Sequence, residues 1–235
     1  MLLTMIGDSL SAPDLAAFAF FVVAWVGHAL TTAGHVFSRP CLSQLMNAQR
    51  ETWLRTMAAR EMRMVDTGIM TGLQQGTAFF ASSSLIALGG CFALLQSSDA
   101  VLAVLADVPY SPEPTRALFE DKVLGLVVIL AYAFFKFGWA YRLFNYCSIL
   151  IGAVPQAGDA VDPDELERSV SRAIGMNVVA GGHFNAGLRA MFFSIGYLGW
   201  FLGPIALAAT TLFILTVLVR RQYFSRAREA LAAQA

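Results

Sequence analysis

Few residues in this chain combine a type and a setting that could do chemistry. Lys136 stands in AYAFFKFGWAYR, inside a strongly apolar stretch. A cation held in hydrocarbon costs at least ~2.5 kcal/mol, so it needs a partner, a wet cavity or a route to the headgroups. Arg142 follows in the same stretch, and Arg189 opens another. Two guanidinium forks that converge can grip a phosphate or a carboxylate. Lys136, Arg142 and Arg189 are therefore the residues expected to contact an anion or a lipid phosphate. A plainer account weighs more for each. Lys136 can snorkel or pair with Glu61 or Asp66, and Arg142 can join Trp139, Tyr141, Asn145 and Tyr146 in an interface belt.

The histidines offer a second chemistry. His28 and His35 are seven residues apart and share a helix face, and His183 lies on another segment. Histidines on different helices can hold a haem or a metal, but hydrogen bonding to neighbours is the simpler use. Cys41, Cys91 and Cys147 are far apart and form no CxxC pair or zinc spacing. No GxSxG, P-loop or HExxH pattern is present. The acids of DPDELE sit where helix capping explains them. No catalytic residue, metal site or cofactor is expected.

These residues must be positioned by elements made for lipid. The composition is 57% hydrophobic and 14% charged, against about 25% charged in soluble domains. Sixteen basic and 16 acidic residues cancel, which argues against a nucleic-acid binder. Runs at Asp14–Val36, Ile69–Leu95, Val123–Val154 and Ala190–Val219 meet or exceed the roughly 20 apolar residues of a crossing helix. The expected fold is an all-α integral membrane protein: one bundle of four to five transmembrane helices over residues 1–235 with cytoplasmic amphipathic helices. Spans are placed at about 14–36, 69–95, 121–143, 184–202 and 204–220, and cytoplasmic helices at about 41–66 and 144–183.

Arginine placement sets the orientation. Arg39, Arg50, Arg55, Arg60 and Arg63 lie between the first two runs, and Arg220, Arg221, Arg226 and Arg228 follow the last. The positive-inside rule puts both groups in the cytoplasm of a bacterial inner membrane, with the amino end outside and the carboxyl end inside. That requires Gly203-Pro204 to be a turn between two helices; a single bent crossing is the alternative. The start carries Asp8 and Asp14 but no basic residue, unlike a cleaved signal peptide. PYSPEP at 109–114 reads as a loop. The stretch 42–66 reads as an amphipathic helix that runs on into the second span, and Gly181-Gly182 should weaken a helix opening at Asp162. The third run breaks near Gly138, tilts, or projects from Asn145. Gly68, Gly72 and Gly76 share one face and are expected to pack against another helix.

Four separated strings, REMRMVD at 60–66, FFASSSLIALGG at 79–90, FKFGWAYRLFNYCSILIGAVP at 135–155 and HFNAGLRAMFF at 183–193, resemble the membrane family catalogued as domain of unknown function 599. The resemblance implies several membrane helices and supplies no activity, cofactor or catalytic residue. The glycine ridge and the sparse polar content favour a self-associating bundle or an accessory subunit of a membrane complex. An oligomeric channel or transporter for ions or small anions is the alternative. The partners expected are membrane lipids and further copies or a larger complex, not nucleic acid.

Overall fold

The computed structural model describes residues 11–33, 39–106, 115–156, 159 and 162–232. Among them lie α1 (Ala12–Ala33), α2 (Leu42–Ala58), α3 (Met64–Gln96), α4 (Ser98–Ala106), α5 (Arg116–Ala153) and α6 (Pro163–Tyr197). A 3-10 segment (Leu198–Leu202), α7 (Pro204–Tyr223) and α8 (Arg226–Ala232) complete them. No strand occurs among the described residues. Asp8, His35, Val36, PYSPEP and Gly158 lie outside them.

Four segments are long and apolar enough to cross a membrane: Ala12–Thr32, Met64–Gln96, Arg116–Ala153 and Pro204–Ala232. The chain is thus an all-α membrane bundle. The expected span 184–202 is not a helix of its own. It is the second half of α6, a 35-residue helix, plus the 3-10 segment. That helix carries Asn177, His183, Asn185 and Arg189, which lowers its hydropathy, and Asn177 is fully buried.

The bundle has two distinct ends. At the hairpin end the chain reverses at Gly203, which has φ 120° and ψ 173°. Glycine tolerates that conformation, and Pro204 then starts α7. Thr210 Oγ1 donates to Gly196 O at 2.6 Å, so α7 runs back along α6. Asp14 of α1 accepts from Trp200 Nε1 at 2.7 Å here. At the arginine end, Tyr223 Oη donates to Thr31 O at 2.9 Å, and α2 packs on α6, α7 and α8. Hence α1, α5 and α7 run one way, and α3 and α6 the other.

Several boundaries differ from expectation. The helix at 42–66 does not run into the second span: α2 ends at Ala58 and α3 begins at Met64. Arg63 fixes that break by donating to Val154 O at 2.6 Å and Pro155 O at 2.5 Å, carbonyls that the end of α5 leaves open. Helix α5 is unbroken through Gly138, and α6 through Gly181-Gly182. Tertiary packing outweighs the roughly 1 kcal/mol that an interior glycine costs. At Gly187 a Cβ would fall 2.7 Å from the Phe137 ring, and at Gly181 3.0 Å from the Arg50 guanidinium. These two glycines admit neighbouring side chains.

The expected glycine ridge is not a seam within the chain. No atom lies within 4 Å of a Cβ built at Gly68, Gly72 or Gly76. Helix α3 packs along α5 and meets α6 only lightly, which leaves this face open.

Candidate functional site

A cavity of about 550 Å³ lies at the arginine end, with walls from α1, α2, α3, α5, α6 and α7. Its α3 wall spans Gly72 to Thr77, roughly 8 Å along the helix at 1.5 Å per residue, beginning about 12 Å from Met64. Its floor is largely apolar, with Leu73, Phe144, Phe184, Leu188, Phe192 and Leu218.

Three cations face it: Arg50 from α2, Arg189 from α6 and Arg221 from α7. Arg50 is brought inward by helical phase, since it lies four and seven residues before Leu54 and Met57, both fully buried. Its Nη1 donates to Asn177 Oδ1, and its guanidinium lies 6.0 Å from the Phe144 ring centroid. Burial pushes the Arg50 pKa below its ordinary value, opposed by the nearby Cys147 thiol, but an arginine stays charged at any physiological pH. Arg189 Nη1 donates to Thr32 Oγ1 at 2.9 Å. Arg221 lies over the Phe192 ring at 5.2 Å. None of the three forms an ion pair among the described residues. No aspartate or glutamate among the described residues lines the cavity.

His28 also lines it. The residue is 5% exposed, and neither ring nitrogen makes a hydrogen bond. The Leu218 backbone is near enough to influence the ring without completing a bond. A buried polar group left unpaired costs about 1–3 kcal/mol. Neutral donors and acceptors complete the lining. Gln222 Oε1 accepts from Ser43 N and Oγ, both at 3.2 Å, and Asn185 Nδ2 donates to Ser43 Oγ at 3.5 Å. The set can hold an oxyanion: guanidinium forks for its charge, amides and a hydroxyl for its remaining lone pairs.

Of the three residues expected to contact an anion, only Arg189 is here. Lys136 is half-buried one turn before Ala140 on α5, near His183 of α6, with Nζ over the Tyr132 ring at 5.2 Å, and it does not line the cavity. Arg142 is exposed and donates to Tyr146 Oη at 2.6 Å. The three do not converge: neither Lys136 nor Arg142 lines the cavity that Arg189 faces. Nor does Lys136 pair with Asp66, whose Oδ1 instead accepts from Arg60 at 2.5 Å and Trp53 Nε1 at 2.7 Å. The histidines also separate: His183 lies edge-on to Trp139 at 6.5 Å, while His28 faces the cavity. No group of three His, Cys, Asp or Glu side chains could hold a metal among the described residues.

Sequence reasoning overlooked Lys122. It is 5% exposed at the hairpin end, where Nζ donates to Trp200 O at 2.9 Å and sits 5.5 Å from the Trp200 ring centroid. With Asp14 on the same tryptophan, it ties α1 and α5 to the hairpin, a structural role. At the arginine end Arg55 joins α2 to α6 through Glu167 at 2.8 Å and holds the Glu167 carboxyl below its usual range. This pair is exposed, and such pairs contribute little.

A family model described as a protein of unknown function, DUF599, matches residues 16–227, and the chain belongs to that family. No curated protein and no solved structure matches it.

Proposed function

We propose that this DUF599 member is a multi-pass membrane protein that takes an anionic ligand into the cavity between α1, α2, α3, α6 and α7. One observation carries the reading: Arg50, Arg189 and Arg221 face a shared space with no carboxylate among its described lining residues and no ion-pair partner among the described residues. A charge taken out of water costs several kcal/mol unless it is compensated, so the half-buried Arg50 and Arg189, with exposed Arg221 beside them, favour a ligand that carries the missing charge. This supports the carrier reading for small anions above a purely structural one. No residue is assigned a catalytic role.

The arginine end is read as cytoplasmic, in a bacterial inner membrane, by the bias of α2, α7 and α8 toward arginine. With the reversal at Gly203, α6 becomes a fifth crossing, amino end outside and carboxyl end inside. Self-association, alone or as an accessory subunit, is supported by the outward face of α3, where Gly68, Gln75, Gly89 and Gly90 are exposed.

The test is thermal unfolding of the purified chain in mild detergent. Phosphate or sulfate, or a lipid with an anionic head, should raise the melting temperature above matched chloride. Binding to the native state stabilises it by RT ln(1 + [L]/Kd). Arg189→Gln and Arg221→Gln should each reduce the rise. Equal melting in every salt and with every lipid rejects an anion site.

A further inference from the structure

The cavity has one wall that an inorganic anion would not need. On α3 it is formed by Gly72, Leu73, Gly76 and Thr77. Gly72 is exposed to the surroundings of the bundle, and a Cβ at Gly72 or Gly76 would meet nothing within 4 Å. The described residues of α3 make no substantial contact with α1 or α7. The pocket therefore opens sideways past Gly72 and Gly76, where no side chain covers it, along a helix long and apolar enough to cross a membrane. Inside, the cations lie against apolar walls. Arg50 lies over the Phe144 ring and Arg221 over the Phe192 ring, Arg189 follows Leu188 on α6, and Leu73 and Phe184 add to the apolar lining. His28, nine-tenths buried and without a hydrogen bond, faces the same space from α1.

Resting on the anion-binding reading, we propose that the ligand is an amphiphile: the phosphate head of an anionic membrane lipid held by Arg50, Arg189 and Arg221, with its chain leaving sideways past Gly72 and Gly76. Lateral opening lets a lipid enter without leaving the bilayer. The apolar floor continues the hydrocarbon that the chain already occupies, so only the head exchanges its surroundings. Guanidinium forks suit a phosphate diester, whose two free oxygens accept in parallel. His28 and the Asn185 amide supply further donors at the head.

The decisive experiment uses the full chain, delipidated in mild detergent, with binding read by native mass spectrometry and by melting temperature. The probes are dioleoyl phosphatidylglycerol, dioleoyl phosphatidylcholine and inorganic phosphate. Phosphatidylglycerol should bind at least about tenfold more tightly than phosphatidylcholine, which carries the same phosphate with a compensating cation. Arg189→Gln should weaken phosphatidylglycerol about tenfold, as loss of a charge-assisted hydrogen bond does. Should that variant fail to fold, exposed Arg221→Gln asks the same question. Arg142→Gln, outside the cavity, should leave binding unchanged. Gly76→Leu fills the portal without touching an arginine, so it should weaken the lipid and spare inorganic phosphate. Stabilisation by inorganic phosphate alone would overturn the amphiphile and leave the anion site standing, whereas no response to any of the three overturns both. Equal binding of the two lipids, or a Gly76→Leu variant that binds phosphatidylglycerol normally, would also overturn it.

Discussion

His28 and Arg50 show how far a side chain's role departs from its type. Each is polar, sits in or against an apolar environment and lacks a charged partner, and each is tolerated for a different reason. Arg50 keeps one hydrogen bond to Asn177, and Gly181 leaves room for its guanidinium. His28 has neither ring nitrogen bonded, so the fold gains nothing evident from its polarity. Replacing it with leucine removes two unpaired buried atoms and keeps most of the volume. We expect His28→Leu to melt at or above the wild-type temperature, the gain being bounded by the roughly 1–3 kcal/mol cost of an unpaired group, while its response to phosphate or phosphatidylglycerol falls. A clear drop in melting temperature without ligand would mean that the ring has a structural partner and is not held ready for one.

The reversal between α6 and α7 depends on close backbone approach. A Cβ at Gly199 would lie 2.3 Å from Thr210 Oγ1 and 2.8 Å from Ala206 O. The second contact is main chain and cannot swing aside. Gly199→Ala should therefore destabilise by the 1–3 kcal/mol typical of overpacking, about that much in thermal or denaturant unfolding, and it should loosen α7 from α6. The same substitution at Gly68, where nothing lies within 4 Å, serves as the control and should be near neutral or slightly stabilising, since alanine favours helix. Equal effects at the two positions would contradict the hairpin packing. Helix α6 is central for a related reason: it packs along α5, α7 and α2, and its polar residues face protein and cavity, where lipid does not penalise them.

At the scale of the bundle, the topology makes a prediction of its own. Helices α1, α5 and α7 run opposite to α3 and α6, so five crossings place the two termini on opposite sides. A reporter that is active only in the cytoplasm, fused after Ala235, should be active, and one in the 107–114 connection should be silent. The reverse pattern would remove the proposed orientation and the cytoplasmic access of the cavity. Four crossings would place both termini on one side, and two fusions would show it.

Hydrophobic length is a local property, so it was legible in the chain: the all-α membrane class, the long apolar helices at 12–32, 64–96, 116–153 and 204–232, the Gly203-Pro204 turn and the Asp162 cap follow from a few adjacent residues, whereas a separate helix at 184–202 does not occur. Helical phase placed Arg50 on the face of Leu54 and Met57, and Lys122 on the face of Phe119, Val123 and Leu126; both signals were there to be read. Which cations would converge was another matter. Lys136, Arg142 and Arg189 look equivalent in a linear stretch, but Arg189 is brought to Arg50 and Arg221 only by the crossing of α6 with α2 and α7. The open face of Gly72 and Gly76 is likewise a statement about which helix is not beside α3. Burial, partnership and enclosure are relations between segments distant in sequence, so tertiary packing alone decided them.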